Sequence, residues 1–542
     1  MRAGIGNGGR DRRLSLPAMS RADAKASRAD PGRPDPGDAH FEVHDPSDPD
    51  PLRRRLLATG LSLSSGALAP LLAGCASATG RREASVRATR LRAAAGRAAL
   101  VGDLAPPTAV WHYEGAVPGP LLRLPQGGVL AATLDNALSE PTTIHWHGIR
   151  LPNAMDGVPG LTQRPVAPGE RFDYRFAAPD AGTYWYHPHL STPEQVDRGL
   201  HGVLIVDEAD PPAVDRELVW LLDDWRLDRQ ARIVEDFLDF RDLSHAGRIG
   251  NTITVNGRLA DRETVRPGER LRLRLVNAAN ARIFGLRFEG LALWLIALDG
   301  QPLPAARPLG EDEPLLIGPG MRADLIVDIP RAGDLWRVLE VSQRNRAWRL
   351  VDLVAEGGAP ALLGAGSARA GGRRDAPAPI APNPHAEPEL RDPLRVSLHF
   401  GGGMMGRGLP PDTAEARATR RQRRLEGHRA PDPVWSVNGH AHLEHGAGHP
   451  FEFVADRGRT VLLQLHNDTA WWHPIHLHGH SWRELARDGR PVPDRPWRDT
   501  SLMAPGERLE VAFVADNPGD WLLHCHVLGH HAGGMGTQFR VR

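Results

Sequence analysis

The chain has 542 residues, 41% of them hydrophobic, and this length corresponds to several compact units at about 100–200 residues per domain. Sixty-six basic residues balance sixty-six acidic residues, so no net field favours nucleic acid or an acidic substrate, and no nucleic-acid partner is expected. The 58 glycines and 48 prolines interrupt the chain too often for long helices, which predicts an all-β fold.

Residues 1–94 are predicted to be a disordered N-terminus that contains an export signal. An arginine cluster at 53–55 precedes an apolar stretch at 56–72, which is shorter than the roughly 20 residues that a membrane-spanning helix needs. An alternative start of translation is Met19. The protein is therefore expected to be exported to the periplasm or the cell envelope.

Cys75 ends the sequence Leu-Ala-Gly-Cys, which resembles a bacterial lipoprotein signal, while the paired arginines before it resemble a twin-arginine export signal. We therefore expect a lipid anchor on Cys75. The alternative is a soluble exported protein that is cut after Ala78 and loses Cys75. The other cysteine, Cys525, lies in a very different context, so no disulfide between the two is expected.

An internal repeat organises the chain after residue 95. The five-residue sequence APGER occurs twice, twenty positions before His187 in the first copy and twenty positions before His524 in the last. A middle copy keeps the frame but carries Leu286, Phe288 and Val338 at the offsets of the histidines, which predicts a spacer or a substrate wall.

Alternating strands bounded by Pro-Gly turns predict that each copy is a Greek-key β-sandwich with one wet face. A stretch rich in glycine, alanine and proline separates the last two copies and reads as a linker. The predicted boundaries are 95–208, 209–356 and 393–542 for the three sandwiches and 357–392 for the linker.

The candidate metal ligands of the sequence fall in four histidine clusters. Side chains two residues apart in a strand face the same side, so each His-x-His pair presents two imidazoles to one site. Several such pairs can enclose a metal cluster. The candidate ligands are His145 and His147, His187 and His189, His473, His476 and His478, and His524, His526 and His530.

Cys525 lies between two of these histidines and therefore points to the opposite face of its strand. His530 follows it by five positions and Met535 by ten, while His473 is a remote fourth candidate. Soft sulfur combined with imidazole selects copper. Zinc is the weaker assignment, because a zinc site favours more thiolates or a carboxylate over a methionine.

At these residues the chain resembles a multicopper oxidase of the three-domain laccase type, over roughly residues 95–542, whose repeat units are cupredoxin-like domains. The resemblance implies four copper ions. Type 1 copper would be held by His473, Cys525, His530 and Met535, and type 2 copper by His145 and His476. The type 3 pair would use His147, His187 and His526 for one ion, and His189, His478 and His524 for the other.

The resemblance also implies the reaction and its partners. Single electrons from a small reducing substrate would pass from type 1 copper through Cys525 to the three-copper cluster, where dioxygen is reduced to water.

Asp156 resembles the family's acidic residue near the cluster; a turn-forming aspartate is the alternative. Many bacterial relatives have a carboxylate where this chain has His531. The two alternatives for His531 are a proton relay and a side chain that faces solvent. A monomer is expected.

The electron donor is the open question. The chain has only eight methionines, and Met404 and Met405 are the only ones in the insert that is methionine-rich in copper-detoxifying relatives. A phenolic, laccase-like donor is therefore expected first, with cuprous oxidation in periplasmic copper tolerance as the alternative. A copper-free scaffold protein is a remote third hypothesis, and a two-domain nitrite reductase is excluded by the third unit.

A further group of histidines occupies a Gly-containing loop. Solvated polarity is the expected role of these side chains, with weak copper capture as the alternative. They are His440, His442, His445 and His449.

Overall fold

The structure is a computed structural model that describes residues 85–259, 262–310, 313–343, 346–356, 374–406, 433–443 and 449–542. The predicted export signal with Cys75, the linker up to residue 373 and His445 lie outside the described residues. In the described ranges, no helix combines the length and the apolar composition that crossing a membrane requires.

The described chain forms three successive pairs of β-sheets, which confirms the predicted all-β fold. The first pair has the strand orders β2-β1-β4-β6 and β3-β8-β7-β5. These strands are β1 Val86–Ala98, β2 Thr108–Tyr113, β3 Leu122–Pro125, β4 Val129–Asn136, β5 His145–His147, β6 Arg171–Ala177, β7 Gly182–His187 and β8 Gly202–Asp207.

The middle pair has the orders β10-β9-β12-β17-β14-β15 and β11-β19-β18-β13-β16. Leu286, Phe288 and Val338, at the offsets of the missing histidines, are buried inside this sandwich and pack in its own core. The strands are β9 Arg216–Trp225, β10 Thr252–Val255, β11 Arg262–Val265, β12 Arg270–Asn277, β13 Phe284–Phe288, β14 Ala292–Leu298, β15 Gln301–Leu309, β16 Leu315–Ile317, β17 Arg322–Asp328, β18 Leu335–Glu340 and β19 Trp348–Ala355.

The last pair has the orders β21-β20-β23-β29-β25-β26, with β27 beside β25, and β22-β31-β30-β24-β28. The strands are β20 Leu394–Gly402, β21 Trp435–Val437, β22 Val454–Ala455, β23 Thr460–Asn467, β24 His473–Leu477, β25 Trp482–Arg487, β26 Arg490–Pro491, β27 Trp497–Arg498, β28 Thr500–Met503, β29 Arg508–Val514, β30 Gly519–Cys525 and β31 Gly536–Val541. Short helices are α1 Thr192–Gln195, α2 Phe240–Ser244 and α3 Leu528–Ala532, with 3-10 turns at Gly102–Leu104 and Asn153–Met155.

One continuous group of buried apolar residues runs through the first and third sandwiches, while most of the middle sandwich has a separate core. Buried apolar surface is the main favourable term in folding, so this shared core fixes the first sandwich against the third. The seam between them is where the first and last histidine clusters come together.

Strand β6 has one wet face, as predicted for the alternating strands, whereas both faces of β12 are buried. Residues Leu271, Leu273 and Leu275 of β12 fill the core, and the alternating Arg272 and Arg274 are also buried, against the first sandwich. Their charges are compensated in place, since Arg272 Nη2 lies 2.7 Å and Arg274 Nη1 lies 3.0 Å from Asp324 Oδ2. A buried charge persists only when it is paired. In β12, paired charges occupy the polar face, which the alternation of leucine and arginine would place in water.

Candidate metal centre

Strand β30 ends at Cys525, between His524 and His526, and runs antiparallel to β24, which contains His473 and His476. His524 pairs with His476, and Cys525 pairs with Ile475. Directly opposed residues of an antiparallel pair share a face, so the two histidines face one side and the thiol faces the other. One strand therefore supplies ligand atoms to two separate sites.

The first site contains the Cys525 thiol and two imidazoles, and all three side chains are buried. Cys525 Sγ lies 3.4 Å from His473 Nδ1 and 3.7 Å from His530 Nδ1, and the two Nδ1 atoms are 3.0 Å apart. The Met535 backbone joins both neighbours: its N–H donates to His530 O at 2.9 Å and its carbonyl accepts from Cys525 N–H at 3.0 Å. The chain thus brings these four residues together in a buried pocket.

Burial controls the ionisation of this first site. It raises the pKa of the Cys525 thiol well above its ordinary value, against a small opposing effect of the Val527 N–H. It lowers the pKa of His530 to about 3 and holds that of His473 well below its ordinary value. Both imidazoles are therefore neutral ligands, and a cation is needed to replace the thiol proton. Copper fits this combination of soft sulfur and imidazole.

The outer nitrogens of the two imidazoles are held by the surrounding protein. His473 Nε2 lies 2.8 Å from Thr469 Oγ1, and His530 Nε2 lies 2.8 Å from the main-chain carbonyl of His245. Since Nδ1 of each ring faces the sulfur, Nε2 carries the proton and donates it in these bonds. Such outer contacts fix the tautomer and the ring orientation of a metal ligand.

The second site is a buried chamber between the first and third sandwiches. Three groups of imidazoles bring their ligand nitrogens within 4.8 Å of one another: His145, His476 and His478; His145, His147 and His187; and His189, His478 and His524. The ring centroid of His526 lies 4.8 Å from that of His147 and 5.3 Å from that of His187. The eight histidines assigned to the three-copper cluster therefore surround one space.

Unpaired nitrogens show that this space fits metal ions. His145 Nε2, His147 Nδ1, His187 Nε2 and His476 Nε2 are buried without a hydrogen-bond partner, as are both ring nitrogens of His526. A buried polar atom without a partner costs about 1–3 kcal/mol, and metal coordination removes that cost. Burial also keeps the pKa of His147, His187 and His526 well below the ordinary value, so these imidazoles are neutral.

Asp156 lies at the chamber and joins histidines of both sandwiches. Its Oδ2 accepts from His478 Nδ1 at 2.9 Å, its Oδ1 is 3.2 Å from His145 Nδ1, and its main-chain carbonyl accepts from that same nitrogen at 2.8 Å. The following Gly157 has a φ of +82°, and a Cβ there would collide with the carbonyl of Ile144. This tight turn is what places the aspartate against the two rings.

His531 lies against the chamber rather than facing solvent. Its ring stacks on that of His524 with centroids 4.2 Å apart, and it lies 5.3 Å from the ring of His189. Burial lowers the pKa of His531 to about 4. The neutral imidazole therefore covers the His524 ring and approaches the His189 ring.

One of the loop histidines, His442, lies near the first site. His442 N–H donates to the carbonyl of Gly534, which precedes Met535. His440 is exposed, and His442 is partly buried. Among the described residues, these histidines do not form a group with ligand atoms in metal-binding range.

Some residues that contact the imidazoles from outside the two sites were not predicted from the sequence. Arg322 of the middle sandwich, Thr500 and the carbonyl of His245 all reach ligands or their partners. None of them belongs to a histidine motif, and each is far from its partner in the chain. Asp499 is also fully buried beside His147 and His476.

Three family models, each described as multicopper oxidase, match residues 98–211, 216–349 and 427–542. The chain belongs to the multicopper oxidase family. This multicopper oxidase is therefore a copper-dependent oxidoreductase of the general laccase-like type, which uses dioxygen and a reducing substrate.

Known relatives align with 79–85% of the oxidase. A solved structure described as a multi-copper oxidase from Pseudomonas Thermotolerans is 35% identical, with a TM-score of 0.71, and covers 85% of this chain and 100% of its own. Copper resistance protein A of Escherichia coli is 27% identical, with 79% of this chain and 88% of the relative aligned. Laccase-1 of Botryotinia fuckeliana is 28% identical, over 79% of this chain and 78% of the relative.

Proposed function

We propose that this oxidase holds four copper ions and couples one-electron oxidation of a phenolic donor to reduction of dioxygen to water. Type 1 copper is assigned to His473, Cys525, His530 and Met535, and the other three ions to the eight histidines of the chamber. Copper supplies the one-electron redox chemistry and the binding of dioxygen. The observation that carries the proposal is the strand end at Cys525, whose two faces serve the two sites.

The protein links the two sites by a short path. His524 Nδ1 donates to the main-chain carbonyl of Cys525 at 2.8 Å, so a cluster ligand and the thiol are joined by a hydrogen bond as well as by the peptide chain. Both side chains are fully buried, which excludes water and fixes their separation. This fixed link supports electron transfer from the first site to the second.

Delivery of protons is assigned to Asp156, with His531 as the alternative. Reduction of dioxygen to two waters takes up four electrons and four protons, and Asp156 is a carboxylate that touches ligands of two different coppers. We expect Asp156→Asn to slow oxygen uptake about 10–100-fold, while anaerobic reduction of the type 1 site by donor stays at the wild-type rate. The same two measurements on His531→Gln show which of the two residues delivers protons. If oxygen uptake and reduction of the type 1 site slow equally in a variant, the substituted residue does not have that role.

Two features at the outer edge of the first site bear on the donor. The ring of His245 lies 5.2 Å from that of Trp471, which is partly buried, and these two rings offer aromatic surface to a planar donor. Trp471 Nε1 also donates to the carbonyl of Met404, and both Met404 and Met405 are exposed. Thioether and imidazole suit cuprous ion, so this pair favours cuprous oxidation as the second candidate.

Oxygen uptake with a substituted phenol and with cuprous ion distinguishes these donors. We expect a higher kcat/KM for the phenol, and we expect Met404→Ala combined with Met405→Ala to lower only cuprous oxidation. Leu121→Ala is the matched control, because this apolar side chain is 47% exposed on the first sandwich. A higher kcat/KM for cuprous ion would make copper tolerance the function. Less than one copper per chain after reconstitution would refute the oxidase itself.

We also propose export to the periplasm or cell envelope with a lipid anchor on Cys75, which rests on the sequence signal Leu-Ala-Gly-Cys. A single acyl chain gives weak membrane binding by itself, so a lipoprotein carries more than one. Membrane fractionation tests the anchor. Cys75→Ala should move the protein to the soluble fraction, and unchanged membrane association would contradict lipidation.

A further inference from the structure

A pair of fully buried charges lies beneath the chamber. Arg322, the first residue of β17 in the middle sandwich, holds Asp499 of the third sandwich through two parallel bonds, Nη1 to Oδ1 at 2.7 Å and Nη2 to Oδ2 at 2.5 Å. Both side chains have no exposed surface. Bidentate pairs of this kind are among the strongest hydrogen bonds in proteins, yet burying both charges gains little stability over apolar packing. The pair therefore calls for a role other than stability.

The Arg322 guanidinium contacts all three sandwiches. Besides Asp499, its Nε donates to the carbonyl of Thr183 in β7 at 3.1 Å, and its Nη1 donates to the carbonyl of Gly320 at 3.0 Å. Strand β7 ends at His187, which is a cluster ligand. The planar fork of arginine supplies these donors in fixed directions, which the single ammonium of lysine cannot do.

Asp499 in turn holds two cluster ligands. Its Oδ1 accepts from Thr500 Oγ1 at 2.7 Å and lies 3.3 Å from His147 Nε2. Its main-chain carbonyl accepts from His476 Nδ1 at 3.0 Å. The rings of His147 and His476 are stacked with centroids 3.7 Å apart. The aspartate and Thr500 therefore lie on the outer side of both rings.

This contact explains why His147 is turned differently from its neighbours. In His145, His187 and His476 the unpaired nitrogen is Nε2, whereas in His147 it is Nδ1. His147 Nε2 lies 3.1 Å from Thr500 Oγ1, so the groups organised by Asp499 occupy the nitrogen that would otherwise be free. The nitrogen that His147 presents to the chamber thus depends on where Asp499 is held.

Two glycines leave room for the arrangement. A Cβ at Gly148, which has a φ of +86°, would fall against Arg322 Nη2 and lie 2.6 Å from Asp499 Oδ2. A Cβ at Gly320, with a φ of +80°, would lie 2.8 Å from His526 Cδ2 and 3.0 Å from His147 Cε1. Backbone from the first and middle sandwiches therefore packs directly against the charged pair and the imidazoles.

We propose that Arg322 is a positioning residue for the three-copper cluster. The middle sandwich supplies none of the eight cluster histidines, but through Arg322 it fixes Asp499, and through Asp499 it sets the nitrogens that His147 and His476 present to the metal. This inference rests on the proposed assignment of the cluster. It makes the middle sandwich a contributor to copper binding although that sandwich supplies none of the cluster histidines.

Arg322→Gln tests the proposal, with Arg274→Gln as the matched control. Arg274 is also a fully buried arginine of the middle sandwich that reaches the first, with its Nη1 2.9 Å from Thr183 Oγ1, but it is paired with Asp324 instead of Asp499. We expect Arg322→Gln to lower the affinity for type 2 copper about 10–100-fold and to change its electron paramagnetic resonance spectrum. The blue thiolate absorption of the first site should persist. Arg274→Gln should lower the melting temperature but keep the type 2 signal.

Further variants separate positioning from folding. Arg322→Lys keeps the charge without the fork, so we expect partial recovery of the type 2 signal, and this variant takes the place of Arg322→Gln if the latter does not fold. Adding Asp499→Asn to Arg322→Gln should cause little further loss, because both act on the same imidazoles. Wild-type copper content and type 2 spectrum in Arg322→Gln, or the same loss in Arg274→Gln, would overturn the inference. Absence of copper from the wild type would instead refute the proposed function.

Discussion

Serine in place of Cys525 is expected to abolish turnover with phenolic and cuprous donors alike, while the cluster in the chamber keeps its copper. The thiol lies 3.4 Å and 3.7 Å from the two imidazoles of the first site, and a serine hydroxyl is a hard, poorly acidic replacement for it. The flanking His524 and His526 face the opposite site, so their ligand atoms are unaffected. The variant should therefore lose one copper and the blue absorption.

Oxygen uptake, copper content and visible spectra of the same preparations check this result. Cys75→Ser is the natural control, because it changes the only other cysteine of the chain and should leave turnover unchanged. Full oxygen uptake in Cys525→Ser with either donor would mean that electrons reach the chamber without the first site. Loss of all copper would instead mean that the two sites do not fold independently of each other.

Asparagine in place of Asp324 is expected to lower the free energy of unfolding by about 3–5 kcal/mol. Asp324 Oδ2 lies 2.7 Å from Arg272 and 3.0 Å from Arg274, and all three side chains are buried between the first and middle sandwiches. Thr183 Oγ1 donates to its other oxygen at 2.7 Å. Removing the carboxylate charge leaves two arginines with less compensation in a place that water does not reach.

The pH dependence of this effect has a definite sign. Burial acts to raise the pKa of Asp324, but Arg274, Arg272 and the Thr183 hydroxyl outweigh it and lower the pKa below its ordinary value. A carboxyl group with a lowered pKa in the folded state stabilises above the unfolded value of about 3.9 and loses that contribution as the pH falls further. The difference between wild type and Asp324→Asn should thus be largest near neutral pH and shrink in acid.

Urea denaturation of the copper-loaded proteins measures the difference at each pH. Asp173→Asn provides the comparison, because Asp173 is exposed on β6 and surface substitutions usually change stability by about 0.5 kcal/mol or less. A change of less than about 1 kcal/mol in Asp324→Asn at neutral pH would show that the buried network contributes little to holding the two sandwiches together.

The all-β fold and the grouping of the histidines and Cys525 were predictable from the sequence because each depends on a short-range rule. The spacing of two in His145-Trp146-His147 fixes a common face, and the same rule separates Cys525 from its flanking histidines. No such rule links Arg322 to Asp499, which are 177 positions apart and meet only after three sandwiches have docked. A contact between residues so far apart in the chain leaves no local pattern in the sequence.

The polar face of β12 shows a different limit. The alternation of leucine and arginine in β12 is typical of a strand, but it does not show whether Arg272 and Arg274 face water or a neighbouring sandwich. His531 is similar, since its sequence position allowed solvent exposure, and its burial against His524 depends on the turn of α3. In both cases a polar residue type was compatible with two environments, and packing between elements chose one.

The carbonyl of His245 over His530 has an evolutionary consequence. It is a main-chain group, so no point substitution removes it. The outer edge of the first site therefore belongs in part to a segment that supplies none of the proposed copper ligands. Insertions or deletions around α2 would reshape that edge without disturbing the redox centre. The segment is therefore the place where natural variants of this enzyme could exchange one donor for another, and where grafted loops could redirect it in the laboratory.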